Sequence, residues 1–224
     1  MATVMQSKTG RRSMHERLRV LCEQGYIGRR YDRSYKLQAQ FAVYYLLPKG
    51  IQILKQWPER YQTRMLRNIR KDVNASARFV KHCQNVFRTY VALQPLYGET
   101  FQYHAKSELS QGAYDYFPKP LPDGYATYTT KDTHHGHFMI ECFDDTKPQT
   151  VMRHRIRQRI DHGYTDDWKD NQTYPEILIV CDTEELEQKA RRWVKQTIAD
   201  EGAEDMKFYV TSLPKLTQRA QRIG

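Results

Sequence analysis

The sequence predicts an α/β (α+β) chain in two parts: an N-terminal helix–hairpin–helix module, then a mixed sheet covered by helices. Three observations carry that expectation. Met14, Leu18, Leu21 and Cys22 recur at helical spacing near the start. Farther on, strand-like runs at 124–130, 137–143 and 176–181 alternate with helical patterns at 151–160 and 184–199. Charge divides the same way: residues 1–95 hold 19 Lys/Arg against 5 Asp/Glu, whereas residues 96–224 hold 17 against 21. The boundaries read as a module over 1–58, a basic linker helix over 59–75, an α/β domain over 76–213 and a polar tail over 214–224.

Hydrophobic residues make up 39% and charged residues 28%, the composition of a globular chain. No run approaches the roughly 18 apolar residues of a membrane helix. Met1 to Gly10 lacks the apolar stretch of a secretory signal. The expectation is a cytoplasmic protein with no membrane partner. Cys22, Cys83, Cys142 and Cys181 form no C-x-x-C pair, so the paired-cysteine zinc pattern is absent.

In the first half, the apolar stripe through Met14, Leu18 and Leu21 has a cationic counterpart. Lys8, Arg11, Arg12, His15 and Arg19 fall at i, i+3, i+4, i+7 and i+11 of one helix. Gly25 stops that helix. A short strand through Arg29 and Arg30, a polar tip from Asp32 to Gln38 that includes Arg33, and a second strand over 41–47 then form a hairpin. Pro48-Lys49-Gly50 opens another helix. Helix, basic hairpin, helix is the order of a winged helix, in which a helix enters the major groove and the hairpin meets flanking phosphate. Lys8, Arg11, Arg12, His15, Arg19, Arg29, Arg30 and Arg33 are the expected DNA contacts. Only about ten residues precede the first helix. Either the true start lies upstream, or the module is abbreviated and leaves Met14, Leu18 and Leu21 thinly covered, an exposed patch that favours a homodimer.

In the second half, Ser76 to Tyr90 is a helix with a broad apolar face, and EILIVC over 176–181 is a strand buried on both faces. Asp123, in Pro122-Asp123-Gly124, begins one strand of a hairpin, and Glu141, in Ile140-Glu141-Cys142-Phe143, lies in the other. A turn centred near Thr133 sets Glu141 across from Tyr125, with Asp123 as its diagonal neighbour. Two such carboxylates are candidate catalytic and metal ligands, able to hold Mg²⁺ and activate water against a phosphodiester. The spacing resembles the PD-(D/E)xK motif of the restriction-endonuclease-like fold, but Phe143 stands where that motif has lysine. Arg153, Arg155, Arg157, Arg159 or His137 are the candidate substitutes. The arginines of that helix otherwise extend a nucleic-acid track or pair with the acidic stretch over 161–170. Asp132, His134, His135 and His137 are a candidate metal cluster, although they crowd one turn, where solvent exposure is the ordinary expectation.

Taken together, the chain resembles the replication-relaxation family of plasmid and mobile-element proteins, in which a winged helix precedes a degenerate endonuclease-like domain. The resemblance spans residues 10–213. It rests on Leu18–Leu21 with Gly25-Tyr26-Ile27 and Arg29-Arg30, on Leu46–Gly50, on His82–Val86, and on Pro122–Gly124, Phe138–Glu141 and Tyr174–Val180. It implies DNA binding in replication or mobilisation of a plasmid or mobile element, and the leading expectation for this chain is binding without catalysis. The implied partners are double-stranded DNA and replication or mobilisation proteins. No cofactor is expected unless Asp123 and Glu141 form a Mg²⁺-dependent nuclease. The remaining alternative is a winged module that docks another protein.

Overall fold

A computed structural model describes residues 8–31, 35, 37, 41–130, 135–165, 167–168 and 173–222. The chain is mixed α/β and divides into two compact units, Met1–Ala75 and Ser76–Gly224. None of the described helices is long and apolar enough to cross a membrane.

The first unit contains α1 (Lys8–Glu23), β1 (Ile27–Arg30), β2 (Val43–Leu46), α2 (Pro48–Leu54), α3 (Thr63–Ile69) and a 3₁₀ turn over Arg70–Asn74. Gly25, at φ 73°, ends α1. Tyr26 N–H donates to the Leu21 carbonyl and Gly25 N–H to that of Cys22, a Schellman closure that satisfies the last carbonyls. The strands pair antiparallel from Ile27 opposite Leu46 to Arg30 opposite Val43. Gly50 must be glycine here, because a Cβ would lie 2.3 Å from the Tyr26 carbonyl oxygen. Residues 59–75, expected as a separate linker helix, belong to this unit as a short helix and a 3₁₀ turn. Among its described apolar side chains, only Ile51 and Leu66 are fully buried.

The second unit begins with α4 (Ala77–Tyr97), whose N-cap Ser76 accepts a hydrogen bond from Phe79 N–H. The helix outruns the expected end at Tyr90 and passes through Pro95, since Ala92 and Leu93 are buried along the same stretch. Then come β3 (Gln102–Ala105), α5 (Lys106–Leu109), β4 (Gly124–Thr129), β5 (His135–Phe143), α6 (Gln149–Gly163), β6 (Glu176–Cys181), α7 (Glu184–Glu201), β7 (Phe208–Ser212) and α8 (Leu213–Gln221). The sheet order is β3-β4-β5-β6-β7, antiparallel through β5 and parallel from β5 to β7.

Alternation along the strands sorts two apolar layers. Tyr125, Met139, Phe143, Ile177 and Ile179 face Met152, Ile156 and Ile160 of α6 and Ala190 and Val194 of α7. Ala126, Phe138, Ile140, Cys142 and Val180 face Ala92 and Leu93 of α4 and Leu213 and Leu216 of α8. The expected polar tail from Pro214 is thus α8, a packed helix: its first turn carries proline, and Leu213 and Leu216 fall on one side. Leu216→Ala should therefore lower the unfolding free energy by about 2–4 kcal/mol, read from urea titration. A disordered tail would give no change.

Candidate functional site

In the first unit, α1 presents His15 and Arg19 to solvent. The side chains of Lys8, Arg11 and Arg12, and the whole of Arg33, lie outside the described part of the structure. Arg19 is engaged along its own helix, donating to Glu16 at 2.6 Å and also to Glu23. Arg29 is exposed with its guanidinium 4.6 Å from the Tyr31 ring centre. Arg30 serves the fold, because its guanidinium donates to the carbonyls of Ala75 (2.7 Å), Val73 (3.0 Å) and Asp72 (3.2 Å). It ties β1 to the 3₁₀ turn. Met14 and Leu18 are half-buried, and Leu21 stays 39% exposed.

Further exposed positive charge sits elsewhere in this unit. Arg64 and Arg67 on α3, with Arg70 and Lys71 on the following turn, are exposed. Among the described residues none of the four is ion-paired. Residues 1–75 hold 16 Lys/Arg against 5 Asp/Glu, whereas residues 76–224 hold 20 against 21. Basic excess therefore coincides with the first unit.

In the second unit the hairpin register differs from the expected one by two residues. Tyr125 pairs with Met139, not Glu141, and the ladder ends at Gly124 opposite Ile140, whose carbonyl accepts the Asp123 N–H at 2.9 Å. Asp123 and Glu141 are only 2% and 1% exposed. Each is matched by cations from a different layer. His82, on α4, donates through Nε2 to Asp123 Oδ1 at 3.1 Å and through Nδ1 to Asp144 Oδ2 at 2.7 Å. Lys147 Nζ lies 3.0 Å from Asp123 Oδ2, which also accepts the Cys142 N–H at 3.0 Å. The half-exposed Lys106 ammonium stands 3.7 Å from Asp123 Oδ1. Glu141 Oε1 accepts from Arg159 through Nε at 2.7 Å and through Nη2, with Arg155 Nη1 3.7 Å away.

These contacts fix the charge states. Burial opposes ionisation of Asp123, but the His82 hydrogen bond and the Lys147 charge win and hold its carboxyl far below the ordinary range. For Asp144, burial is likewise outweighed by hydrogen bonds from His82, Thr146 and Asn85, lowering it to about 2. Burial works against a charged His82, yet its bonds to both carboxylates raise it to about 9. The Cys142 thiol is pushed well up by burial, and Cys181 to about 12. At neutral pH Asp123 and Asp144 are therefore carboxylates held by cations, and Cys142 and Cys181 are thiols.

Of the groups expected to replace the missing lysine, Arg155 and Arg159 reach Glu141, while Arg157 pairs with Glu201 at 2.7 Å. The arginines that reach Glu141 are buried rather than laid out as a nucleic-acid track, and among the described residues neither is ion-paired with the stretch over 161–170. His137 bonds the Tyr125 hydroxyl at 2.9 Å and His135 that of Thr129 at 3.0 Å. Asp132 and His134 lie outside the described residues. Among the described residues no three His, Cys, Asp or Glu side chains are arranged to hold a metal. Both Asp123 oxygens are held by imidazolium and ammonium groups and Glu141 Oε1 by guanidinium groups, while Glu141 Oε2 is buried without a hydrogen-bond partner, which leaves a divalent ion a single open carboxylate oxygen rather than a ligand set.

His82, Asp144, Lys147 and Lys106 escaped sequence reasoning. Two signals pointed to them: His82 and Asn85 share one helical face, and Asp144-Asp145 follows the end of a buried strand. Comparison with protein-family models, characterised proteins and solved structures found no match to this chain.

Proposed function

We propose that this chain is a double-stranded DNA-binding protein that acts without catalysis, gripping phosphates through its first unit. The carrying observation is the coincidence of basic excess with one compact unit, which concentrates a positive field where a polyanion is the natural partner. Within that unit the exposed, unpaired cations of α3 and its following turn are the principal phosphate contacts. Arg29 and His15 add to them, and Arg30 holds the hairpin in place. The resemblance to the replication-relaxation family supplies the setting, replication or mobilisation of a plasmid or mobile element.

Salt dependence tests the reading. If six or more phosphates are neutralised, affinity for a duplex falls by roughly 10³–10⁵ between 50 and 200 mM salt. Replacing Arg64, Arg67 and Arg70 together with alanine should reduce the log–log slope by about 0.9 for each phosphate no longer neutralised. The combined Arg11, Arg12 and Arg19 alanine variant reports the share carried by α1. A shallow slope, or a triple α3 variant that binds as the parent does, removes the assignment. Nicking of supercoiled plasmid with Mg²⁺ that is lost in Asp123→Ala would instead establish a nuclease.

A further inference from the structure

We propose that Lys147 is the resident cation of the carboxylate centre: its ammonium fills the place a divalent ion would need between Asp123 and the Cys142 carbonyl, and so shuts metal out. Lys147 Nζ lies 3.0 Å from Asp123 Oδ2 and 3.3 Å from the Cys142 carbonyl oxygen. A carboxylate and a backbone carbonyl are the oxygen types that Mg²⁺, Mn²⁺ and Ca²⁺ take as ligands. An ammonium satisfies the same oxygens through its protons at hydrogen-bond distance.

The placement is built in. β5 ends at Phe143, and the chain folds back at once, with Lys147 N–H donating to the Asp144 carbonyl at 3.2 Å. Asp144 Oδ1 accepts the Thr146 N–H at 3.0 Å, fixing that turn. The lysine side chain is only 17% exposed. A cation tethered this closely competes as though present at millimolar or higher concentration. An incoming ion also meets His82 and Lys106 on the other oxygen of Asp123. The like charges make its approach unfavourable.

Removal of the Lys147 charge should open the site. Lys147→Met leaves two buried oxygens without their cation, and a divalent ion satisfies both. Thermal unfolding with added Mn²⁺ reads the change. Millimolar Mn²⁺ should leave the midpoint of the parent unmoved and raise that of Lys147→Met by roughly 2–4 °C or more. The rise should vanish in Lys147→Met/Asp123→Asn. Should Lys147→Met fail to fold alone, recovery of its far-ultraviolet dichroism by Mn²⁺ supports the proposal, and no recovery overturns it. A folded Lys147→Met indifferent to Mn²⁺, or a parent that responds as strongly as the variant, also overturns it. The result is independent of DNA affinity, so this inference and the proposed function stand or fall separately.

Discussion

Glu141→Ala should lower the unfolding free energy by about 3–5 kcal/mol, the cost of stranding a buried partner charge. Arg159 is fully buried, and its Nε and Nη2 both donate to Glu141 Oε1, with Arg155 also close. Without the carboxylate, the remaining acceptor for Arg159 is the Pro120 carbonyl, at 2.8 Å. Arg155 keeps only the carbonyls of Pro120 and Leu121. Two guanidinium charges then stay in the core without a counter-charge. Replacing both partners, as in Glu141→Met/Arg159→Met, should recover most of the loss, because buried pairs contribute little beyond an apolar pair of similar volume. Urea titration of the three proteins checks the pattern. The opposite outcome, Glu141→Ala as stable as the parent or more so, is what a strained catalytic carboxylate would give. It would return Glu141 to the candidate active residues.

The sheet is legible in the sequence because its strands are short β-rich runs separated by turn residues and helical patterns. The run over 176–181 forms β6 with those same bounds, and β4 and β5 pair as the expected hairpin, with Asp123 just before β4 and Glu141 within β5. Their diagonal placement fails because a turn centre set one residue late shifts antiparallel pairing by two. The nature of the centre is not legible for a different reason. His82 lies 41 residues before Asp123 on a helix whose apolar face dominates the pattern. Spacing along the chain cannot report a contact made across layers. Arg155 and Arg159 read as candidate companions of the carboxylates but equally as a nucleic-acid track or partners of the acidic stretch, since arginine is seldom buried without a partner. That partner, Glu141, lies 18 residues before Arg159 on a strand. Helix α8 escapes notice because polar residues outnumber the apolar ones that dock it, although Leu213 and Leu216 are spaced for one face.

The two units divide the physics unevenly. The second has two apolar layers and a buried ionic centre, whereas among the described residues of the first the buried apolar side chains are Ile51 and Leu66, beside the Arg30 tie and the hairpin. A unit with so little apolar burial and so much like charge is stabilised by anything that screens that charge. Phosphate contact by α3 and the following turn would therefore support the fold and the affinity together.

Alkaline pH should weaken the second unit through His82. Its folded pKa is about 9 against an ordinary value of 6.5, so the native state holds the proton more tightly than the unfolded chain. The resulting stabilisation is complete below about pH 6.5 and is lost as pH rises through about 9. Its size is about 2–3 kcal/mol, order of magnitude, for a side chain that is 13% exposed and bonded on both ring nitrogens. Lys147, also facing Asp123, opposes the charge slightly, and Asp123 and Asp144 favour it. On the acid side the carboxylates act in the reverse sense. Asp144, lowered from 3.8 to about 2, contributes stability above its ordinary value that is lost as pH falls through about 2. Buried Cys142 and partly buried Tyr103 are pushed upward and also weaken the fold at high pH, so the informative quantity is a difference. His82→Asn should be less stable than the parent at pH 6, and the gap should close between pH 6.5 and 9. A gap of constant size across that range would mean that the imidazole bridges Asp123 and Asp144 without carrying charge, and the ionic account of the centre would fail with it.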